Sequence, residues 1–161
     1  MESFKLVVVG DKGVGKSAFL KRHQDGSFLV DEVGKEVVDL VFNTTRGKIC
    51  ANCWDSTHDF AMHNASVGII MFDLSNRDSF ESIVEYHKKL TEMTSGMFIV
   101  LVGNKCDNNR KVKPYHIREV MDRLSIKKYC DLSVKANFNF EKPFLYALRH
   151  VTGDSKLDIT V

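Results

Sequence analysis

The 161-residue chain lacks any apolar run of the roughly 20 residues that a helix needs to cross a bilayer. It has little net charge. Its 23 Lys and Arg against 21 Asp and Glu leave +2, which argues neither for nor against a nucleic-acid partner. It shows no internal repeat and no low-complexity segment. No signal peptide opens it, because Met1 to Lys5 leads straight into an apolar stretch. The segment Lys156-Leu157-Asp158-Ile159-Thr160-Val161 holds no cysteine, so it offers no prenylation box. These absences predict a soluble intracellular protein with no membrane anchor. Cysteine is sparse too: Cys50, Cys53, Cys106 and Cys130. Cys50 and Cys53 have the C-x-x-C spacing of redox and zinc sites, but they fall in a predicted strand, where positions three apart point to opposite faces. Unbonded, mostly packed thiols are expected instead. The length suits one domain with one solid core, spanning residues 1–161.

What is present is organised around Gly10-Asp11-Lys12-Gly13-Val14-Gly15-Lys16-Ser17. This is G-x-x-x-x-G-K-[ST], and its context is informative. The apolar run Phe4-Lys5-Leu6-Val7-Val8-Val9 before it reads as a buried parallel strand. Ser17 to His23 after it has helical spacing. Strand, glycine loop and helix are the setting in which this motif binds phosphate; outside it, the letters could be a glycine-rich turn matched by chance. The glycines let successive N–H groups turn inward, and the helix N-terminus adds partial positive charge. Asp11, Lys12, Gly13, Val14, Gly15, Lys16, Ser17 and Ala18 are the candidate phosphate-binding residues. Lys16 would reach the β- and γ-phosphates, and the Ser17 hydroxyl would ligate Mg²⁺.

Further along, Glu36 to Phe42 and Lys48 to Trp54 read as two strands joined by the turn residues Asn43 to Gly47, a hairpin. Asp55 follows directly, and Ser56 to Ser66 reads as irregular and polar. Val67 to Phe72 and Met97 to Gly103 are continuous apolar runs, hence buried strands. Between them Ser75 to Ser79 caps a helix with Phe80, Ile83, Val84, His87 and Leu90 at helical spacing. Pro114 suits the first turn of a helix through Leu124. Lys127 to Leu132 is a short strand, and Phe140 to Val151 the last helix. The alternation predicts an α/β fold: a mostly parallel six-stranded sheet with one antiparallel hairpin, helices on both faces, and a ligand at the carboxyl ends of the strands.

Two further motifs fall at such ends. Asn104-Lys105-Cys106-Asp107 closes a buried strand. Its Asp107 carboxylate can accept two hydrogen bonds from the guanine edge, N1–H and the 2-amino group, whereas adenine presents the wrong pattern. Leaving that carboxylate unpaired costs about 1.5–3 kcal/mol or more, so discrimination is steep. Asn104 and Lys105 would brace the loops and cover the ring. In Ser133-Val134-Lys135 a backbone N–H could meet the guanine carbonyl while Lys135 flanks the ring. Phe28 is a candidate to pack edge-on against the base, or equally a loop aromatic tucked on the core.

Taken together the three motifs resemble the Ras superfamily of small GTPases, over nearly the whole chain. Within it the sequence is most similar to the Ran branch, the GTPases of nucleocytoplasmic transport. The likeness runs through Phe4 to Asp11, Lys21-Arg22-His23, Leu40 to Gly47, Ile69 to Asp73, Gly103 to Asp107 and the basic stretch Arg110 to Lys113. Its most distinctive piece is Asn137-Phe138-Asn139-Phe140-Glu141-Lys142-Pro143-Phe144. The resemblance implies a P-loop G domain that binds GTP or GDP with Mg²⁺. It also implies nuclear transport receptors or Ran regulators as protein partners, no nucleic acid, and a place in nucleus and cytoplasm.

The departures bear on turnover. The family's first switch sets a Thr before a Gly. Here Glu32-Val33 precede Gly34, and no Thr occurs between Ser17 and Thr44. The second switch, Asp-x-x-Gly-Gln in the family, reads Asp55-Ser56-Thr57-His58-Asp59. Asp55 remains and could reach Mg²⁺ through water. The Gly that bonds the γ-phosphate and the Gln that positions water are gone, both loops are short, and Lys12 replaces a Gly. Ran's acidic C-terminal tail is not found. Hydrogen bonds to a charged phosphate contribute roughly 1.5–3 kcal/mol each, so losing two removes about 3–6 kcal/mol, or two to four decades in affinity. Guanine nucleotide is therefore expected to bind, GTP and GDP to be poorly distinguished, and hydrolysis to be weak or lost. No catalytic residue is assigned; His58 is the sole candidate to substitute for the Gln. The competing reading is a pseudo-GTPase scaffold that binds a partner independently of nucleotide. A P-loop kinase or ATPase ranks third, because Asn104 to Asp107 points to guanine.

Overall fold

The computed structural model describes residues 1–25, 37–55 and 58–160. Phe28, Glu32, Val33 and Gly34 of the expectations above lie outside them, as do Ser56 and Thr57.

Strands β1 (Glu2–Val9), β2 (Val37–Thr44), β3 (Gly47–Asp55), β4 (Val67–Asp73), β5 (Phe98–Asn104) and β6 (Lys128–Asp131) form one sheet in the order β2-β3-β1-β4-β5-β6. β2 and β3 run antiparallel, and every other neighbouring pair is parallel. The expected mostly parallel six-stranded sheet with one hairpin is the observed one. The helices are α1 (Lys16–Asp25), α2 (Asp59–Met62), α3 (Arg77–Glu81), α4 (Ile83–Met93), α5 (Pro114–Leu124) and α6 (Lys142–Thr152).

The continuous apolar runs are explained by burial on both faces. Along β1, Leu6 and Val8 face a core with Phe19 and Leu20 of α1 and Phe144, Ala147 and Leu148 of α6. Val7 and Val9 face the opposite core, with Ala61 and Met62 of α2, Ile83 and Leu90 of α4, and Ile117 and Val120 of α5. Strands β4 and β5 alternate likewise. Alternate side chains thus feed two hydrophobic layers, and no strand interior has a polar face to show. On the edge strand β2, by contrast, alternate residues are exposed and buried.

Three segments differ from the sequence reading. The stretch expected to be irregular contains the single turn α2. It holds because Ala61 and Met62 are buried and because Lys5 Nζ donates to the carbonyls of Phe60 and His63, both at 2.8 Å. The single helix expected after Ser75 is divided at Ser82 into α3 and α4, with Asn76 accepting at the α3 N-terminus from the N–H groups of Asp78 and Ser79. Beyond α6 the chain turns back as a strap over the hairpin. Leu157 is fully buried, Thr45 N–H donates to Asp158 O at 3.0 Å, and Thr160 N–H donates to Asn43 O at 2.7 Å.

The cysteines follow the expectation. All four are free thiols, Cys53 and Cys130 buried, Cys50 and Cys106 half-buried. Burial pushes the Cys130 thiol up to about 12.

Candidate functional site

Five parallel strands end at one edge of the sheet, and the candidate residues gather there. The phosphate loop leaves β1 with Gly13 at φ +87° and Gly15 at φ +106°, conformations that L side chains rarely adopt. Gly15 is also required for space, since a Cβ there would lie 2.4 Å from Asn104 Nδ2. Phe19 N–H then donates to Gly15 O at 2.9 Å, and α1 is under way.

Lys16 is folded over the loop. Its Nζ donates to Gly10 O at 2.8 Å and Asp11 O at 3.0 Å. Burial lowers its pKa, while the charges of Asp55 and Asp11 oppose that shift. Ser17 Oγ donates to Asp55 Oδ2 at 2.5 Å, so the two candidate metal ligands, 38 residues apart in sequence, are in direct contact. Among the described residues no three His, Cys, Asp or Glu side chains cluster as a metal site. Mg²⁺ is usually held by one or two protein oxygens, waters and substrate phosphates, and the Ser17–Asp55 pair could supply such oxygens.

On the base side, Asn104 is buried and joins three loops. Its Nδ2 donates to Val14 O at 2.9 Å, and its Oδ1 accepts from Lys105 N–H at 2.7 Å and Val134 N–H at 3.2 Å. Lys105 Nζ donates to Gly13 O at 2.8 Å and lies 3.1 Å from Asp73 Oδ2. Ser133 Oγ donates to Asp107 Oδ1 at 2.7 Å, fixing the carboxylate through one oxygen. A cavity of about 210 Å³ opens between these loops, lined by Gly13, Gly15, Ala18, Asn104, Lys105, Asp107, Asn108, Val134 and Lys135. Asn108 lies outside the motifs read from sequence; it follows Asp107 on the same turn, which is the signal that could have found it.

The remaining candidates are placed as follows. Ser133 is buried, its hydroxyl donates to Asp107, and it is not among the residues lining the cavity. In the Ser133-Val134-Lys135 segment the Val134 N–H is already engaged by Asn104. The Asp11 carboxylate points away from the cavity, toward α4, where Ser82 and Tyr86 donate to it. Its carbonyl stays on the inner side, bonded to Lys16. Lys12 is exposed. His58 is not among the cavity residues; its ring stacks on Phe60 at 5.4 Å between centroids, just before α2.

The glycine cradle, the Ser17–Asp55 contact and the Asn104-braced cavity together suit a phosphorylated ligand with a purine-sized head and a hard divalent cation. A family model described as the Ras family matches residues 5–153. That match runs from within β1 to just past α6 and takes in each of these features, so the chain belongs to the Ras family.

Proposed function

We propose that this GTP-binding small GTPase holds guanine nucleotide tightly, distinguishes GTP from GDP poorly and turns GTP over slowly, in a Ran-like role linked to nuclear transport. The observation that supports binding most directly is Asn104, whose two side-chain groups lock the phosphate loop to both base-side loops and hold the cavity open. Ras-family GTPases bind guanine nucleotide with Mg²⁺. In this reading Asp107 accepts from the guanine edge, Lys105 and Lys135 flank the ring, and residues 11–18 cradle the β-phosphate. Ser17 would hold Mg²⁺ directly and Asp55 would reach it through water. When bound there, the ion would supply neutralisation of the charge on the β- and γ-phosphates.

Slow turnover is supported by the sequence alone. A catalytic Gln is missing after Asp55, and a γ-phosphate-sensing Thr is missing between Ser17 and Thr44. An arginine finger typically supplies 10³–10⁵ in rate, but it acts on a water that the missing Gln would position. The Ran-like role rests on the resemblance of residues 137–144 and 110–113. It carries with it transport receptors or Ran regulators as partners and a location in nucleus and cytoplasm.

The test is the nucleotide content of freshly purified protein, measured by denaturation and chromatography of the released bases, followed by a single-turnover GTP assay. Stoichiometric GTP or GDP with slow turnover is the expected result. Asp107→Ala removes two hydrogen bonds to a charged acceptor and should cost two to four decades of GDP affinity, about 3–6 kcal/mol. An empty protein that ignores both nucleotides in Mg²⁺ overturns the reading in favour of a scaffold. Ran-like rates that vanish in His58→Ala overturn the slow-turnover part. Receptor capture that is indifferent to the loaded nucleotide counts against the switch role.

A further inference from the structure

The phosphate loop carries a carboxylate, Asp11, one residue after its first glycine. An anion there opposes a triphosphate, because like charges at short range in a partly desolvated site repel strongly. The structure shows what is done with it. Ser82 Oγ donates to Asp11 Oδ2 at 2.7 Å, and Tyr86 OH donates to Asp11 Oδ1 at 3.0 Å. Both oxygens are engaged by neutral donors. The two donors stand four residues apart, at the start of α4 and one turn into it, and therefore on one helix face. The side chain lines a surface groove with Asp78, Glu81, Ser82, Glu85 and Lys89, not the cavity between the loops. Its own carbonyl, on the opposite side of the same residue, accepts from Lys16 Nζ at 3.0 Å.

We propose that Ser82 and Tyr86 are positioning residues for nucleotide binding: their hydroxyls hold the Asp11 carboxylate on the α4 side of the loop and keep it from swinging closer to the phosphates. The inference rests on the guanine-nucleotide reading and adds to it a role for α4. Without the two hydroxyls the carboxylate is released to swing about Cα toward the positive charge of Lys16, the group that serves the phosphates. In the neighbouring groove the three carboxylates of Asp78, Glu81 and Glu85 outweigh the single charge of Lys89 and would repel it in the same direction. The clamp also fixes the loop mechanically, and the experiment separates that role from the electrostatic one.

The affinity for a fluorescent N-methylanthraniloyl-GDP in Mg²⁺ is measured for wild type, Ser82→Ala/Tyr86→Phe, and the same pair combined with Asp11→Asn. The double variant is expected to bind about tenfold or more weakly at low ionic strength, and the gap to wild type should narrow at about 0.5 M salt, where a released charge is screened. Adding Asp11→Asn should restore most of the loss, because the released group is then neutral. A loss that ignores salt and persists in the triple variant means that the hydroxyls only shape the loop, and it overturns the proposal. So does a double variant that binds like wild type. Wild type that takes up no nucleotide removes the parent reading and this inference with it, an outcome distinct from the other two.

Discussion

At the scale of single residues, His23 is a tightly enclosed titratable group outside the site. Its ring sits 4.9 Å from Phe19, 4.5 Å from Phe140 and 4.5 Å from Phe144, centroid to centroid. Nε2 lies 2.7 Å from Phe140 O, so the neutral ring donates there. Burial pushes its pKa from 6.5 down to about 4, against a smaller opposing effect of that hydrogen bond. The folded chain therefore binds fewer protons here than the unfolded chain between pH 6.5 and about 4. Stability from this group is complete above 6.5 and is lost as the pH falls through that window, at up to about 1.4 kcal/mol per pH unit. His23→Gln, which keeps a donor but cannot titrate, should show a shallower decline. Urea unfolding at pH 7.5, 6.5, 5.5 and 4.5 checks it, and parallel curves for the two proteins would exclude His23 as the source. Phe140 and Phe144 belong to the segment that carries the Ran-like resemblance, and in this fold their rings pack around His23.

At the scale of elements, the strands were legible because two-sided burial leaves the continuous apolar runs Val67 to Phe72 and Met97 to Gly103. The phosphate loop and the Asn104 turn were legible because each is a local motif tied to a strand end. What could not be read was non-local. The Ser82 and Tyr86 contacts to Asp11 join residues 71 and 75 positions apart. The turn α2 depends on Lys5, 55 residues away from the carbonyl of Phe60 that it reaches. The strap after α6 depends on the hairpin, more than a hundred residues earlier. No periodicity signals such pairings. The strap yields a prediction. Among its described residues Leu157 is the fully buried side chain, packed in the same layer as Phe144 and Leu148. Leu157→Ala should destabilise the protein by about 2–5 kcal/mol, measured by denaturant unfolding. A cost under about 1 kcal/mol would show that the strap lies on the surface without anchoring it.

At the scale of the molecule, the site is assembled from loops that follow β1, β3, β5 and β6, so its ligand ties together most of the sheet's carboxyl edge. A ligand that binds only the folded state stabilises it by about 4 kcal/mol when present at a thousand times its dissociation constant. Saturating GDP with Mg²⁺ should therefore raise the thermal midpoint by several degrees. Chelating the metal should reverse much of that gain, since Ser17 and Asp55 then face the phosphates without it. Scanning calorimetry with GDP, with GDP and a chelator, and with ATP as the control checks this. Equal shifts from ATP and GDP would count against the guanine assignment to Asp107.

The strap has a mechanical meaning as well. Strand β3 is nine residues long, a rod of about 30 Å, and it is fastened at both ends. The hairpin turn beside its start is pinned to the strap by Thr45 and Asp158. Its far end, Asp55, is pinned to Ser17. A pull on residue 160 is therefore delivered first to the hairpin through the Asn43 carbonyl, and from there along β3 to the metal ligand. The load divides on the way, because Arg149 of α6 also grips the strap, donating to Leu157 O at 2.8 Å and to Asp158 Oδ1 at 3.0 Å. The share that follows β3 is felt as a tug on the carboxylate at its far end.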